Sequence, residues 1–364
     1  MTKNEMYIKK ALALAAKGIG RTSPNPAVGA VIVKNNRVIA ADYHKKAGEP
    51  HAEALALAKA GSDAKGATLY INLEPCCHTD KKTPPCTSAI IRSGINKVVV
   101  SMLDPNPKVS GKGIEALCNA GIETEVGIME REASKLNEAF VKFITTKKPF
   151  VILKIAQSID GKIADAKGES KWITGEKARK HVHKLRNELD AVMVGIGTVI
   201  KDDPSLDCRM IRGRNPYRII IDSALRISLN SKVLGYKDGK TIIATTDKAA
   251  ARKIDAVRKT GHQVMIVKSR DKHVDLQDLV SKLGKMGISS IIIEGGSHIA
   301  ASALLDKIVD KVMFFIAPKV IGGKDALTSV EGGAPASLIN SIKIRDMKTR
   351  RFGDDLLIEG YVEN

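Results

Sequence analysis

Apolar residues recur at helical spacing from Met6 to about Ala16, which predicts an amphipathic helix near the start of the chain. Val28–Val33 and Val38–Tyr43 read as two strands of a hairpin folded about Lys34-Asn35-Asn36-Arg37. A helix over Glu53–Ala60, a strand over Thr68–Leu73, a helix over Thr87–Ser93 and a strand over Lys97–Met102 follow. Then come a helix over Ile114–Ala120 ended by Gly121, a strand over Glu123–Val126 and a long helix over Met129–Ile144. This order predicts a β-sheet sandwiched by helices.

Lys147-Lys148-Pro149 interrupts the pattern, and a new strand begins at Phe150. Two domains are therefore expected, 1–146 and 147–364. In the second, strands are expected at 150–156, 191–195, 218–222, 241–245, 263–267, 290–294 and 311–316. Helices are expected at 175–188, 247–258, 274–286 and 297–307. Such alternation implies an α/β fold with a largely parallel sheet.

A length of 364 residues suits two domains, and 43% hydrophobic with 27% charged residues is the balance of a soluble globular protein. No apolar run is long enough to span a membrane. The first residues lead into a helix and not a signal peptide, so a cytoplasmic location is expected. The formal charge of +19 reads either as attraction to nucleic acid or as attraction to small phosphate esters. Lys and Arg are dispersed and aromatics are only 4%, so stacking platforms for single strands are scarce and no nucleic-acid partner is expected.

The most specific chemistry lies in His51-Ala52-Glu53, Glu74-Pro75-Cys76-Cys77-His78 and Pro84-Pro85-Cys86. His51, Cys76 and Cys86 supply one imidazole and two thiolates, the donor set of a catalytic zinc site with its fourth position open. Glu53 stands two residues from the His, placed to handle a proton without being a ligand. A closed structural site would draw a fourth ligand from Cys77 or His78 and would leave Glu53 without a task. The remaining cysteines, Cys77, Cys118 and Cys208, are odd in number and scattered, as free thiols are in a reducing compartment.

Other positions carry two readings each. Asn25, between Pro24 and Pro26, either reads the amide-like edge of a heterocycle or closes a tight turn. His44 ends a strand just before the metal motif and is either structural or substrate-facing, and Glu74 either supports the site or touches substrate. His78, Lys81 and Lys82 lie in a loop that either reads a polar substrate or is merely solvated. Gly195-Ile196-Gly197 and Glu294-Gly295-Gly296 each follow an apolar strand, as phosphate-binding turns do. Arg186, Arg209, Arg212 and Arg214 are candidate phosphate clamps. Trp172, the single Trp, either stacks on a flat cofactor ring or fills an interface.

Together these motifs resemble the bifunctional deaminase–reductase family of riboflavin biosynthesis. The resemblance adds Asp104-Pro105-Asn106-Pro107 with Gly111-x-Gly113, Ser158-x-Asp160-Gly161, Ser170-x-Trp172-Ile173-Thr174, Asp202-Asp203-Pro204 and Ile221-Asp222-Ser223, in order over nearly the whole chain. It implies an N-terminal cytidine-deaminase-like α/β/α domain followed by a dihydrofolate-reductase-like α/β domain. The implied reactions are zinc-dependent hydrolytic deamination of 2,5-diamino-6-(5-phosphoribosylamino)pyrimidin-4(3H)-one at its 2-amino group, then NADPH-dependent reduction of the ribosyl side chain to ribityl.

By the same resemblance Glu53 is the proton carrier, and Asn25, His44 and His78 line the pyrimidine pocket. Lys154, Ser170, Arg186, Leu206, Arg209 and Glu294 match reductase substrate positions. Ala156, Trp172, Thr198, Asp202, Ser223, Gly296, Ser297, His298, Ile299, Ala300, Ala301 and Ser302 match cofactor positions. The expected partners are phosphorylated pyrimidines, with no membrane, in a homo-oligomer. The chain departs from the family at Cys77, where Ser is usual, and in one extra residue within Asp80-Lys81-Lys82. Two other functions compete: a tRNA or nucleoside deaminase joined to an unrelated nucleotide-binding domain, and a basic RNA-binding protein. The long ligand spacing opposes the first and the intact Glu53 opposes the second.

Overall fold

The first helix, α1 (Lys3–Ala15), starts where a capping box forms. Thr2 Oγ1 accepts the Glu5 N–H at 3.2 Å, and the Glu5 carboxylate accepts the Thr2 N–H at 2.7 Å. The helix buries Tyr7, Ile8, Ala11 and Ala15. Strands β1 (Gly29–Lys34) and β2 (Arg37–Tyr43) follow, joined by Asn35 and Asn36, both at positive φ as a two-residue hairpin turn requires. This computed structural model describes residues 1–78, 84–333 and 337–363.

The first unit, Met1–Lys147, continues through α2 (Ala52–Ala60), β3 (Thr68–Ile71), α3 (Cys86–Arg92), β4 (Lys97–Val100), α4 (Lys112–Asn119) and β5 (Glu123–Val126). Its sheet has the order β2-β1-β3-β4-β5; β1 is antiparallel to both neighbours, and β3, β4 and β5 run parallel. Alternate residues serve opposite faces. Ala30, Ile32, Val98 and Val100 join one core cluster with α2, while Val31, Val33 and Val99 join another with α1. The three layers are thus α/β/α.

One expectation fails here. The helix foreseen over Met129–Ile144 is two helices, α5 (Glu130–Leu136) and α6 (Glu138–Thr146), broken at Asn137. Asn137 takes φ −108° and ψ 20°, and its buried side chain bonds both backbone groups of Ala27. A residue whose amide serves distant backbone is free to leave the helical path.

The second unit, Lys148–Asn364, contains β6 (Phe150–Ser158), α7 (Glu176–Glu188), β7 (Ala191–Gly195), α8 (Ile196–Asp202), β8 (Tyr217–Ile221), β9 (Thr241–Thr245) and α9 (Ala251–Lys259). Then come β10 (Gln263–Ile266), the short pair β11 (Ser269–Arg270) and β12 (His273–Val274), α10 (Leu276–Lys285), β13 (Ser290–Glu294), α11 (Ser297–Leu305), β14 (Lys311–Ala317), β15 (Ile344–Phe352) and β16 (Asp355–Val362). Its large sheet runs β10-β9-β8-β7-β13-β6-β14-β16-β15. The seven strands from β10 to β14 are parallel, and β16 and β15 add an antiparallel edge. The central strands read as nearly continuous apolar runs because helices cover both faces. The sequence patterns did not foretell α8 or the terminal hairpin. Among the described residues no helix is long and apolar enough to cross a membrane.

Candidate metal centre and ligand cavity

His51 is the N-cap residue of α2, Glu53 lies in that helix's first turn, and Cys86 is the first residue of α3. Cys76 follows the C-terminal end of β3. Two helix starts and one strand end therefore bring the three donors together. His51 Nδ1 lies 3.6 Å from Cys76 Sγ and 3.3 Å from Cys86 Sγ, and all three donor atoms fall within 4.8 Å of one another. Tetrahedral zinc with bonds of roughly 2.0–2.3 Å needs ligand atoms about 3.5 Å apart, so this donor set fits the ion. Among the described residues neither Cys77 nor His78 belongs to the cluster. Among the described residues the cluster offers three donors, with the Cys86 N–H also pointing to Cys76 Sγ at 3.4 Å.

Glu53 is only 3% exposed. Burial pushes its carboxyl pKa up and the Cys76 thiolate adds to that, against the opposing pull of His51. A buried carboxyl of this kind can hold and release a proton beside the donor cluster. His44 is buried edge-on to His51, with ring centroids 5.3 Å apart. Its Nδ1 lies 3.1 Å from the Pro50 carbonyl, and Nε2 has no hydrogen-bond partner. Burial holds the His44 imidazole below its ordinary pKa, so the ring is neutral near pH 7. Asn25 is exposed on its loop and His78 is half-buried beside Cys77. Lys81 and Lys82, with the extra residue of the ligand loop, lie outside the described residues.

Of the two readings of Glu74, its hydrogen bonds agree with support of the site. Its carboxylate accepts four backbone N–H groups: Asp104 at 3.1 Å, Gly111 at 3.0 Å, Gly113 at 2.8 Å and Ile114 at 3.2 Å. It ties the strand end that carries Cys76 to the start of α4. The Gly111-x-Gly113 motif follows from this. Gly111 sits at φ +78°, and a Cβ on Gly113 would lie 2.2 Å from the Pro75 carbonyl oxygen.

The second unit holds a cavity of about 570 Å³. Lys154, Ser170, Arg186, Leu206, Arg209 and Glu294 all line it, as do Ala156, Trp172, Thr198, Asp202, Gly296 and Ala300. Ser223, Ser297, His298, Ile299, Ala301 and Ser302 do not. Ser223 accepts the Val274 N–H, and Ser297 donates to Glu331 at 2.7 Å. The two glycine turns meet, since β7 and β13 are neighbours and a Cβ on Gly295 would lie 3.4 Å from Thr198 Oγ1.

On the cavity wall Arg186 grips Glu294 through two bonds of 2.7 and 2.9 Å and also reaches the Asp207 carbonyl at 2.9 Å. Lys154 stands opposite Glu294 in the sheet register. Burial lowers its pKa, with Glu294 opposing and Arg186 assisting. Arg209 is exposed and bound to Asp207. Arg214 bonds the Asn187 and Leu189 carbonyls and Asp190, which accounts for it structurally, and Arg212 lies outside the cavity lining. Trp172 is 57% exposed, with the Arg179 guanidinium over its ring at 4.5 Å. Sequence reasoning missed Arg179 and His183, which share the Arg186 face of α7 and line the cavity. Their spacing of four and three residues was the available signal.

Comparison with known proteins gives two family matches. Residues 1–102 match the cytidine and deoxycytidylate deaminase zinc-binding region, and residues 149–358 match the RibD C-terminal domain. The riboflavin biosynthesis protein RibD of Aquifex aeolicus is 47% identical over 97% of this chain and 96% of its own length. That of Escherichia coli is 40% identical over 88% and 89%. Among solved structures, Acinetobacter baumannii RibD superposes with a TM-score of 0.89 at 34% identity, covering 100% of this chain and 99% of its own. A diaminohydroxyphosphoribosylaminopyrimidine deaminase/5-amino-6-(5-phosphoribosylamino)uracil reductase from Thermotoga maritima superposes at 0.85 with 37% identity, covering 99% of each chain.

Proposed function

We infer the function of this chain from the premise that it belongs to the RibD family: it is a bifunctional riboflavin-biosynthesis enzyme, a zinc-dependent deaminase joined to an NADPH-dependent reductase. The deaminase is assigned to residues 1–146 and the reductase to residues 147–364. The substrate of the first step is the diaminopyrimidine ribosyl phosphate, and that of the second is its deaminated uracil product. The observation that carries this reading is the convergence of three ligand atoms within 4.8 Å beside a buried Glu53.

Zinc, when bound, is a Lewis acid that brings the pKa of water to about 7. Glu53 takes the proton released as water adds to the ring carbon bearing the 2-amino group. It gives that proton to the ring nitrogen, then carries the second proton, from the hydroxyl of the adduct, to the amino group, which leaves as ammonia. Asn25, His44 and His78 hold the pyrimidine; His44, neutral and with a free Nε2, is suited to a hydrogen bond with an uncharged ring.

NADPH, when bound, supplies the hydride that reduces C1′ of the ribosyl chain. Arg186 and Glu294 form a rigid pair against which the sugar is oriented, and Ser170, Leu206 and Arg209 complete the substrate wall. Lys154, with its pKa lowered, is placed to give a proton to the ring oxygen as the sugar opens. Trp172, Thr198, Asp202, Gly296 and Ala300 hold the cofactor from the cavity wall, with residues 297–302 forming the start of α11 behind it. Ala156 lines that site from β6, while Ser223 lies outside its lining and accepts the Val274 N–H. The enzyme works in the cytoplasm as a homo-oligomer, without nucleic acid. The test is to supply the diaminopyrimidine ribosyl phosphate with and without NADPH and identify products by mass. The reading requires the uracil without cofactor and the ribityl product with it; deamination of tRNA at a comparable rate would refute it.

A further inference from the structure

We propose that Asn137 is a positioning residue of the deaminase, acting through the backbone of Ala27 on the loop that carries Asn25. Asn137 lies beyond the residues that match the deaminase zinc-binding region, which end at 102. It is nonetheless 4% exposed and aimed into the first unit. Its Oδ1 accepts the Ala27 N–H at 2.8 Å, and its Nδ2 donates to the Ala27 carbonyl at 3.1 Å. Asn72, fully buried just past β3, donates to that same carbonyl at 3.0 Å and accepts the Gly29 N–H at 2.8 Å. Two buried amides thus hold one loop residue from both sides.

What that residue controls is on either side of it. Asn25 is two positions back, and Pro24 and Pro26 restrict the backbone between them, so a shift at Ala27 is passed along the loop. One position forward, the Val28 carbonyl accepts the His44 N–H at 2.8 Å. His44 in turn packs against the donor residue His51. The clamp therefore sets the spacing between Asn25, His44 and the metal donors. The helix breaks at the residue that forms the clamp.

This inference rests on the reading of Asn25 and His44 as pyrimidine-binding residues. The experiment uses the full-length zinc enzyme and measures KM and kcat for the diaminopyrimidine ribosyl phosphate, zinc content, and reduction of the deaminated substrate. Loss of two buried hydrogen bonds in Asn137→Ala should raise the deaminase KM by about tenfold or more, with kcat within about threefold. Zinc content and the reductase KM should stay at wild-type values. Asn137→Asp keeps the acceptor for the Ala27 N–H, while Asn72 still serves the carbonyl, so its KM should fall between the two. A wild-type KM in Asn137→Ala, or loss of zinc and kcat with KM unchanged, overturns the proposal. Should Asn137→Ala be insoluble, a wild-type KM in both Asn137→Asp and Asn72→Ala overturns it equally. Failure of the wild-type enzyme to deaminate the substrate would instead refute the functional reading.

Discussion

The two units place their chemistry on the chain in opposite ways. The first draws its metal donors from a single compact stretch, His51 to Cys86, and each is an element-specific requirement. The second lines its cavity with residues from Leu153 to Ser329, most of which contribute shape, backbone or one partner of a pair. A site of the first kind is brittle and a site of the second kind is graded. Substitution should therefore remove deamination outright but erode reduction by degrees.

The largest effect is expected for Cys86→Ser. It should lose stoichiometric zinc and fall to background deamination, while reduction of the deaminated substrate continues. Metal analysis alongside both assays checks this, and zinc that persists in Cys86→Ser but leaves in Cys77→Ser would overturn the ligand set. Next comes Glu53→Gln, which should keep zinc but slow deamination by about 10²–10⁴-fold, the usual worth of a positioned proton carrier. Comparable rates in this variant and the wild type would remove Glu53 from the mechanism.

In the second unit Arg186→Ala leaves the buried Glu294 carboxylate without its partner. A loss of about 3–5 kcal/mol of that unit's stability is expected, with a raised substrate KM and a smaller change for NADPH. Urea unfolding and the two Michaelis constants separate these effects, and a change confined to the NADPH constant would reverse the assigned roles. The smallest effect is a pH dependence. Burial pushes the His181 and His183 imidazoles down to about 4, with Arg350 and Arg186 respectively adding to it. Below an ordinary value near 6.5 the unfolded chain binds protons that the folded unit refuses. Stability should thus decline as pH falls from about 6.5 towards 4, with no contribution above that window. His181→Phe, packed between Phe315 and Phe352, should flatten that slope; an unchanged slope would show that carboxylates dominate.

Legibility follows the same contrast. The His51, Cys76 and Cys86 cluster was readable because a metal dictates both residue type and spacing. Most strands and helices were readable from apolar period. The Asn137 break was not, because the apolar positions on both sides keep one helical phase and the cause lies at Ala27. Glu74 was noticed but its partners were not, since its four donors are backbone groups that leave no mark in side-chain pattern. Strand β15 escaped because it is a largely exposed edge whose apolar residues, Ile344, Met347 and Phe352, fall too far apart to show alternation. The partition of cavity residues between substrate and cofactor came from family resemblance, as geometry alone gives only a shared wall.

The position of β6 carries a consequence for synthesis of the chain. It is the first strand of its unit to leave the ribosome, yet its neighbours β13 and β14 are among the last. At ordinary elongation rates it waits on the order of ten seconds for them. During that time the run Phe150-Val151-Ile152-Leu153 has no sheet to join. Lys147, Lys148 and Pro149 stand immediately before it and Lys154 immediately after, charges and a proline of the sort that discourage strands of different chains from pairing. On this view Lys154 serves the nascent chain as well as the finished cavity, and replacing it with an apolar residue should lower soluble yield in addition to activity.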